Sequence, residues 1–201
     1  MIPPVVPSPI GHALAGLAAA WAVDLVPGDR AWRTAPASWY QRAGDGLTAA
    51  CVALGAAADL DLLFVTHRTV THSAGAVILV ALFAATLAAN AHRPVLRVAS
   101  MCAAAYATHL FVDWLATDLS RPRGIQALWP FRFEWFISGL DLFQQTERRH
   151  LWSVATMAKN AGAILQEVAM LGPIVVALWL VRVKALAGLA SEVAGRDHAA
   201  K

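Results

Sequence analysis

The chain has 201 residues, 58% of them apolar and 14% charged, with a formal net charge of +3 and a mean hydropathy of +0.54. Soluble domains carry about a quarter charged residues, so this composition and its long apolar runs argue for an integral membrane protein of one domain. The basic residues are scattered arginines and not a run, which argues against nucleic acid as a partner.

Residues 1–9 are rich in proline and cannot form regular helix. Ser8-Pro9 is a helix start, an N-cap followed by proline at the first helical position. The run 10–26 follows and ends at Pro27-Gly28. It is a short span of about 25 Å, with His12 in its first turn. No Lys or Arg precedes it, whereas a secretory signal peptide begins with a basic segment. Residues 28–46 are polar, with Arg30, Arg33 and Arg42, and Trp32, Trp39 and Tyr40 have the character of the membrane–water interface.

The second run covers 47–58 and reaches Val65 if Asp59 and Asp61 are included. The third, 74–91, is uninterrupted by charge and has no polar face, unlike a helix of a soluble core. The fourth, 98–116, carries His109 and Asp113 in its last turns. Residues 117–149 form a long loop rich in arginine and aromatics, a length that usually marks function. Trp114, Trp129 and Trp135 read as interface anchors. Residues 151–167, with Lys159, Asn160 and Gln166, read as an amphipathic helix along the surface. Residues 168–183 are a fifth apolar run, with Gly172-Pro173 as a kink or start. Residues 184–201 read as a polar, disordered tail. Cys51 and Cys102 sit inside apolar runs and read as small buried residues. The expected architecture is all-α, a polytopic helical membrane protein of about five spans.

Polar residues next to lipid are costly, so their distribution is informative. His12 opens the first span, Asp59 and Asp61 close the second, and His67 and His72 lead into the third. His109 and Asp113 close the fourth, and Glu167 opens the fifth. The start of an odd span and the end of an even span lie on one side of the membrane. These residues therefore gather at one face. His109 and Asp113 are four apart and share a helix face. Asp59 and Asp61 are two apart, about 200° of helical rotation, and His67 and His72 are five apart. Neither pair converges from an unbroken helix, so the stretch 59–73 must contain a break. Ser73 or Thr71 could cap the helix that follows.

Imidazole and carboxylate without thiolate suit a divalent ion, zinc first and manganese or iron as alternatives. Six residues are the expected metal ligands: His12, Asp61, His67, His72, His109 and Asp113. Asp59 is expected as a ligand or as a base behind the ligands. The set exceeds the three or four donors of one catalytic zinc, so either two ions bind or some groups orient the others. Such a site would activate water for attack on a phosphoester or other ester, and Arg68 would hold the developing negative charge. The rival is a non-enzymatic protein that binds or transports metal through the same residues.

The order His12, D-L-D at 59–61, H-R-T-V-T-H-S at 67–73, H-L-F-V-D at 109–113 and L-W-P-F at 128–131 resembles the YdjM-like family. Its members are described as LexA-regulated, inner-membrane-bound metal-dependent hydrolases. The resemblance covers residues 9–135. It departs at Ala58, where the family commonly has Pro, and at Thr69, where it commonly has Gly. It implies a bacterial inner-membrane location. More distantly, the pattern is similar to the helical zinc-dependent phospholipases C and single-strand nucleases, which implies a phosphoester substrate such as a lipid headgroup.

Overall fold

The computed structural model describes residues 7–26, 46–63, 67–148 and 150–199. The proline-rich residues 1–6 and the interface reading of Trp32, Trp39 and Tyr40 lie outside the described residues. Among the described residues there are five α-helices and no β-strand. Helix α1 is Pro9–Leu25, α2 is Gly46–Ala57, α3 is Ala74–Asn90, α4 is Val95–Leu115 and α5 is Val154–Ala199. A 3-10 helix, Ala58–Leu63, continues α2.

The first start signal holds in detail. Ser8 is the N-cap of α1 and accepts from the Gly11 amide (3.1 Å), with Pro9 next. Helix α1 is the hub and packs on α2, α4 and α5, while α3 packs on α4. The core between α1, α2, α3 and α4 is built from small residues: Ala20, Cys51, Ala84, Cys102 and Ala105, with Met101. Both cysteines are free and buried, as expected. At the α1–α2 crossing Gly16 faces Gly55, and a Cβ built on Gly55 would stand 2.5 Å from the His12 carbonyl oxygen. Small residues allow such close backbone approach between helices where lipid gives no hydrophobic drive to associate.

The second expected run is broken where its aspartates fall, because the α-helix gives way to the 3-10 turn at Ala58. The last part of the chain differs from expectation. Helix α5 is continuous from Val154 through Pro173 to Ala199, so there is no separate surface helix at 151–167, and residues 184–199 are helical. Asn160 and Gln166 suggested a water-facing helix but instead hold loop backbone. Asn160 Oδ1 accepts from the Glu147 amide (2.7 Å), its Nδ2 donates to Glu147 O (2.8 Å), and Gln166 Oε1 accepts from the Gln144 amide (3.1 Å). Thr156, Ala163 and Glu167 form the inward stripe of this helix.

Among the described residues two helices are long and apolar enough to cross a membrane, α4 and the Val154–Ala185 part of α5. The outer faces are apolar as well. Ile78, Leu79, Leu82, Phe83 and Leu87 are exposed on α3, and Leu165, Ile174, Val176, Leu180 and Val181 on α5. Away from the polar cluster, Arg97 donates to the last carbonyls of α1, Val23 O and Val26 O. Buried Asp24 on α1 faces buried Arg182 on α5 at 3.7 Å, and Arg182 lies over Trp21.

Candidate metal centre

The break after α2 brings both Asp59 and Asp61 against His72, Asp59 at Nε2 and Asp61 at Nδ1. Next comes the turn 67–73, in which Arg68 takes φ 65°, the His72 amide donates to Thr69 O (3.2 Å) and Ser73 Oγ donates to Val70 O (2.5 Å). Ser73 then caps α3 through the Ala76 amide (3.2 Å). Tyr106 of α4 donates to Thr71 O (2.7 Å) and ties the turn to the helix that carries His109. The L-W-P-F segment lies over the start of α3, where the Ala74 amide donates to Ala127 O (2.8 Å) and the Gly75 amide to Trp129 O (3.1 Å).

The structure gathers His12, Asp59, Asp61, His67, His72, His109 and Asp113 into one cluster. His109 Nε2 and His72 Nε2 are 3.1 Å apart. Asp113 Oδ2 lies 3.3 Å from His72 Nε2 and 3.5 Å from His109 Nε2. Asp59 Oδ1 lies 3.5 Å from His109 Nε2 and 3.7 Å from His72 Nε2. The other oxygen of Asp113, Oδ1, is 3.3 Å from His12 Nε2, and the His12 ring stacks on His109 with centroids 3.7 Å apart.

The far side of each ring decides which nitrogen is free. His109 Nδ1 donates to Gly55 O (2.8 Å), a carbonyl that can only accept. His67 Nδ1 donates to Asp61 Oδ1 (2.5 Å). His72 Nδ1 faces Thr71 Oγ1 (2.9 Å) and Asp61 Oδ2 (3.2 Å). With Nδ1 carrying the proton, each neutral ring turns the lone pair of Nε2 inward, the tautomer set by the groups behind the ligands of metal-binding histidines. Asp61 is that group for two of the rings. Its oxygens also accept from Thr71 Oγ1 (2.5 Å) and the Arg68 amide (3.2 Å). Several buried polar atoms of the cluster are left without hydrogen bonds: both ring nitrogens of His12, His67 Nε2, Asp59 Oδ1 and both oxygens of Asp113. A buried polar atom without a partner is unfavourable, and this set suits a cation. His12, His109 and Asp113 offer one group of donor atoms that all lie within 4.8 Å of one another, and Asp59, His67 and His72 offer a second.

The electrostatics agree. Burial disfavours charge on His72, yet Asp113, Asp59 and Asp61 raise it well above the ordinary histidine value. The cluster attracts positive charge, whether proton or metal.

Arg68 is turned away from the centre. Its Nη1 donates to Asp118 Oδ2 (2.6 Å) and Ser120 Oγ (2.8 Å). Asp118 organises the start of the long loop, accepting also from the amides of Gly124 (2.6 Å) and Ser120 (2.8 Å). Glu167 is fully buried, accepts from the Ser8 amide (2.7 Å) and from Ser8 Oγ, and so fixes the start of α1 one turn before His12. Asp118, Gly55 and Arg148 were not singled out from sequence, and Thr71 was singled out only as a helix cap. The D-x-S of Asp118 and Ser120 is a turn signal that could have marked the first. Nothing in spacing marks Arg148, whose Nη2 donates to Asp59 Oδ2 (3.0 Å) across 89 residues of chain.

An all-helical chain with outward apolar faces and a buried His/Asp centre is thus the class of protein in hand. It belongs to the YdjM inner membrane protein family, whose family model matches residues 8–187. No curated protein and no solved structure matches it.

Proposed function

We propose that this protein is a polytopic inner-membrane hydrolase dependent on a divalent metal, zinc in the first instance, acting on a phosphoester or other ester. One observation carries the reading. His72 Nε2, His109 Nε2, Asp113 Oδ2 and Asp59 Oδ1 stand 3.1–3.7 Å apart over five of their six pairings. Donors about 2.0–2.1 Å from a tetrahedral zinc are separated by roughly 3.3 Å. A divalent ion held there supplies Lewis acidity and lowers the pKa of water.

The chain's own residues do the rest. Asp61 fixes the tautomers of His67 and His72, and Gly55 O fixes that of His109. Asp113 Oδ1 and His12 Nε2 form the edge of a second ion position, with Asp113 shared between the two. Asp59, read from sequence as ligand or base, supplies a donor in this arrangement, and Asp61, read as a ligand, becomes the orienting carboxylate. His67, with Nδ1 tied to Asp61, keeps Nε2 for a second ion or a proton. Arg68 anchors the loop. We take all five helices as spans, α2 together with its 3-10 extension, with the centre at one membrane face. The exposed apolar side chains of α3 and α5 support this.

Elemental analysis of protein purified in detergent tests the reading. Wild type should hold one to two equivalents of metal, and a His109→Ala/Asp113→Ala variant should hold almost none. Equally low metal in both at saturating supply would refute it. A metal-loaded protein that is inactive on a broad panel of phosphoesters, yet moves metal in liposomes, would transfer the assignment to transport.

A further inference from the structure

The cluster is sealed on most sides. The side chains of His12, His72 and His109 have no exposure and that of Asp113 has 3%, whereas Asp59 and His67 reach 10% and 9%. Solvent therefore approaches from the Asp59–His67 side. Arg148 stands there, with 29% of its side chain exposed and Nη2 on Asp59 Oδ2. Asp59 turns its other oxygen, Oδ1, to His72 and His109. Arg148 is thus one carboxylate away from the centre.

The two arginines near the centre differ in what they can still do. Arg68 is 6% exposed, and its Nη1 is engaged by Asp118 and Ser120. A guanidinium carries five N–H donors, and among the described residues that of Arg148 has one partner, Asp59 Oδ2. The backbone just before it is held in place, since Gln144 and Glu147 are fastened to α5 by Gln166 and Asn160. Such a fixed, partly exposed guanidinium at the open side of a cationic centre is suited to a phosphate oxygen, which it can bind in a fork.

We propose that Arg148 is the anion-recognition residue of this site, binding the phosphate group of the substrate with the N–H donors that Asp59 does not engage. This rests on the metal-centre reading above and assigns the recognition that sequence gave to Arg68. The shared chemistry is a phosphate group, whether free or on a lipid.

The test uses full-length, metal-loaded protein in neutral detergent: wild type, Arg148→Gln and Arg148→Lys. Metal content is measured first, then binding of inorganic phosphate and of a short-chain phosphatidic acid. In Arg148→Gln, metal content should stay at the wild-type level and affinity for both probes should fall about tenfold to a hundredfold, the loss of one charge-assisted contact. Arg148→Lys should recover part of it. Tighter wild-type binding of the phosphatidic acid than of phosphate would place the group on a lipid, and equal binding on a soluble molecule; either supports the proposal. Unchanged phosphate affinity in Arg148→Gln overturns it. Loss of metal in both variants also overturns it, because Arg148 would then act only as a clamp on Asp59. Wild type without metal refutes the metal reading itself and this proposal with it, and is seen before any phosphate is added.

Discussion

Gly55→Ala should damage the centre without touching a ligand. The new Cβ would meet the His12 carbonyl oxygen at 2.5 Å and Gly16 Cα at 3.1 Å, whereas ordinary contact begins at 3.4 Å. Both obstacles are backbone, so no side chain can swing aside, and α1 must move off α2 by about 0.9 Å. The movement reaches two proposed ligands at once. His12 rides on the displaced backbone and stacks on His109, and His109 is oriented by the carbonyl of Gly55 itself. Overpacking of this kind destabilises by about 1–3 kcal/mol. Metal sites tolerate only about 0.2 Å in ligand distance, so metal affinity should fall at least about tenfold, as for loss of an orienting group. The assay is metal affinity by competition with a chromophoric chelator, with thermal melting in detergent alongside. Gly162→Ala on α5, where a Cβ meets nothing within 4 Å, is the control and should leave both unchanged. Wild-type metal affinity in Gly55→Ala would refute the claim that this close approach positions His12 and His109.

Asp59→Asn should abolish stoichiometric metal binding, while Asp61→Asn, which removes an orienting carboxylate, should weaken affinity about 10- to 100-fold; elemental analysis and chelator competition giving the reverse order would refute the assignment. Asp24→Ala removes the carboxylate partner of buried Arg182 and should destabilise by about 3–5 kcal/mol, seen as a lower melting temperature, with metal stoichiometry kept in the cold. The pH dependence of the loop follows from Asp118, where burial would raise the carboxyl but Arg68, the Gly124 amide and Ser120 outweigh it and depress it. A carboxyl depressed in the folded state stabilises above its unfolded pKa and loses that contribution as pH falls through the folded value. Protease protection of residues 117–148 should therefore weaken below about pH 4, and Asp118→Asn should be weakened already at neutral pH. Equal protection of both proteins at pH 7 would count against the role of Asp118.

Much of the architecture was legible because it depends on local chemistry. Ser8-Pro9 starts a helix by capping, the 74–91 run has no polar face, and two carboxylates two residues apart cannot point one way from a helix. The residues singled out at His12, in 59–73 and at His109 and Asp113 come together in space. Local reasoning failed at α5, where Asn160 and Gln166 looked like a water-facing surface. Their partners are backbone groups of a loop that no periodicity reveals.

The sequence by itself singled out the His and Asp residues that the structure brings together and the break in helix between Asp59 and Ser73. These follow from residue chemistry and spacing. Only the tertiary structure decided which oxygen or nitrogen of each residue faces the centre. That depends on what stands behind each ring: Gly55 O behind His109, and Asp61 behind His67 and His72. It also decided that Arg68 serves Asp118 and that Arg148 reaches Asp59. A guanidinium on a long side chain pairs with whichever carboxylate the fold brings near, and chain separation carries no information about that.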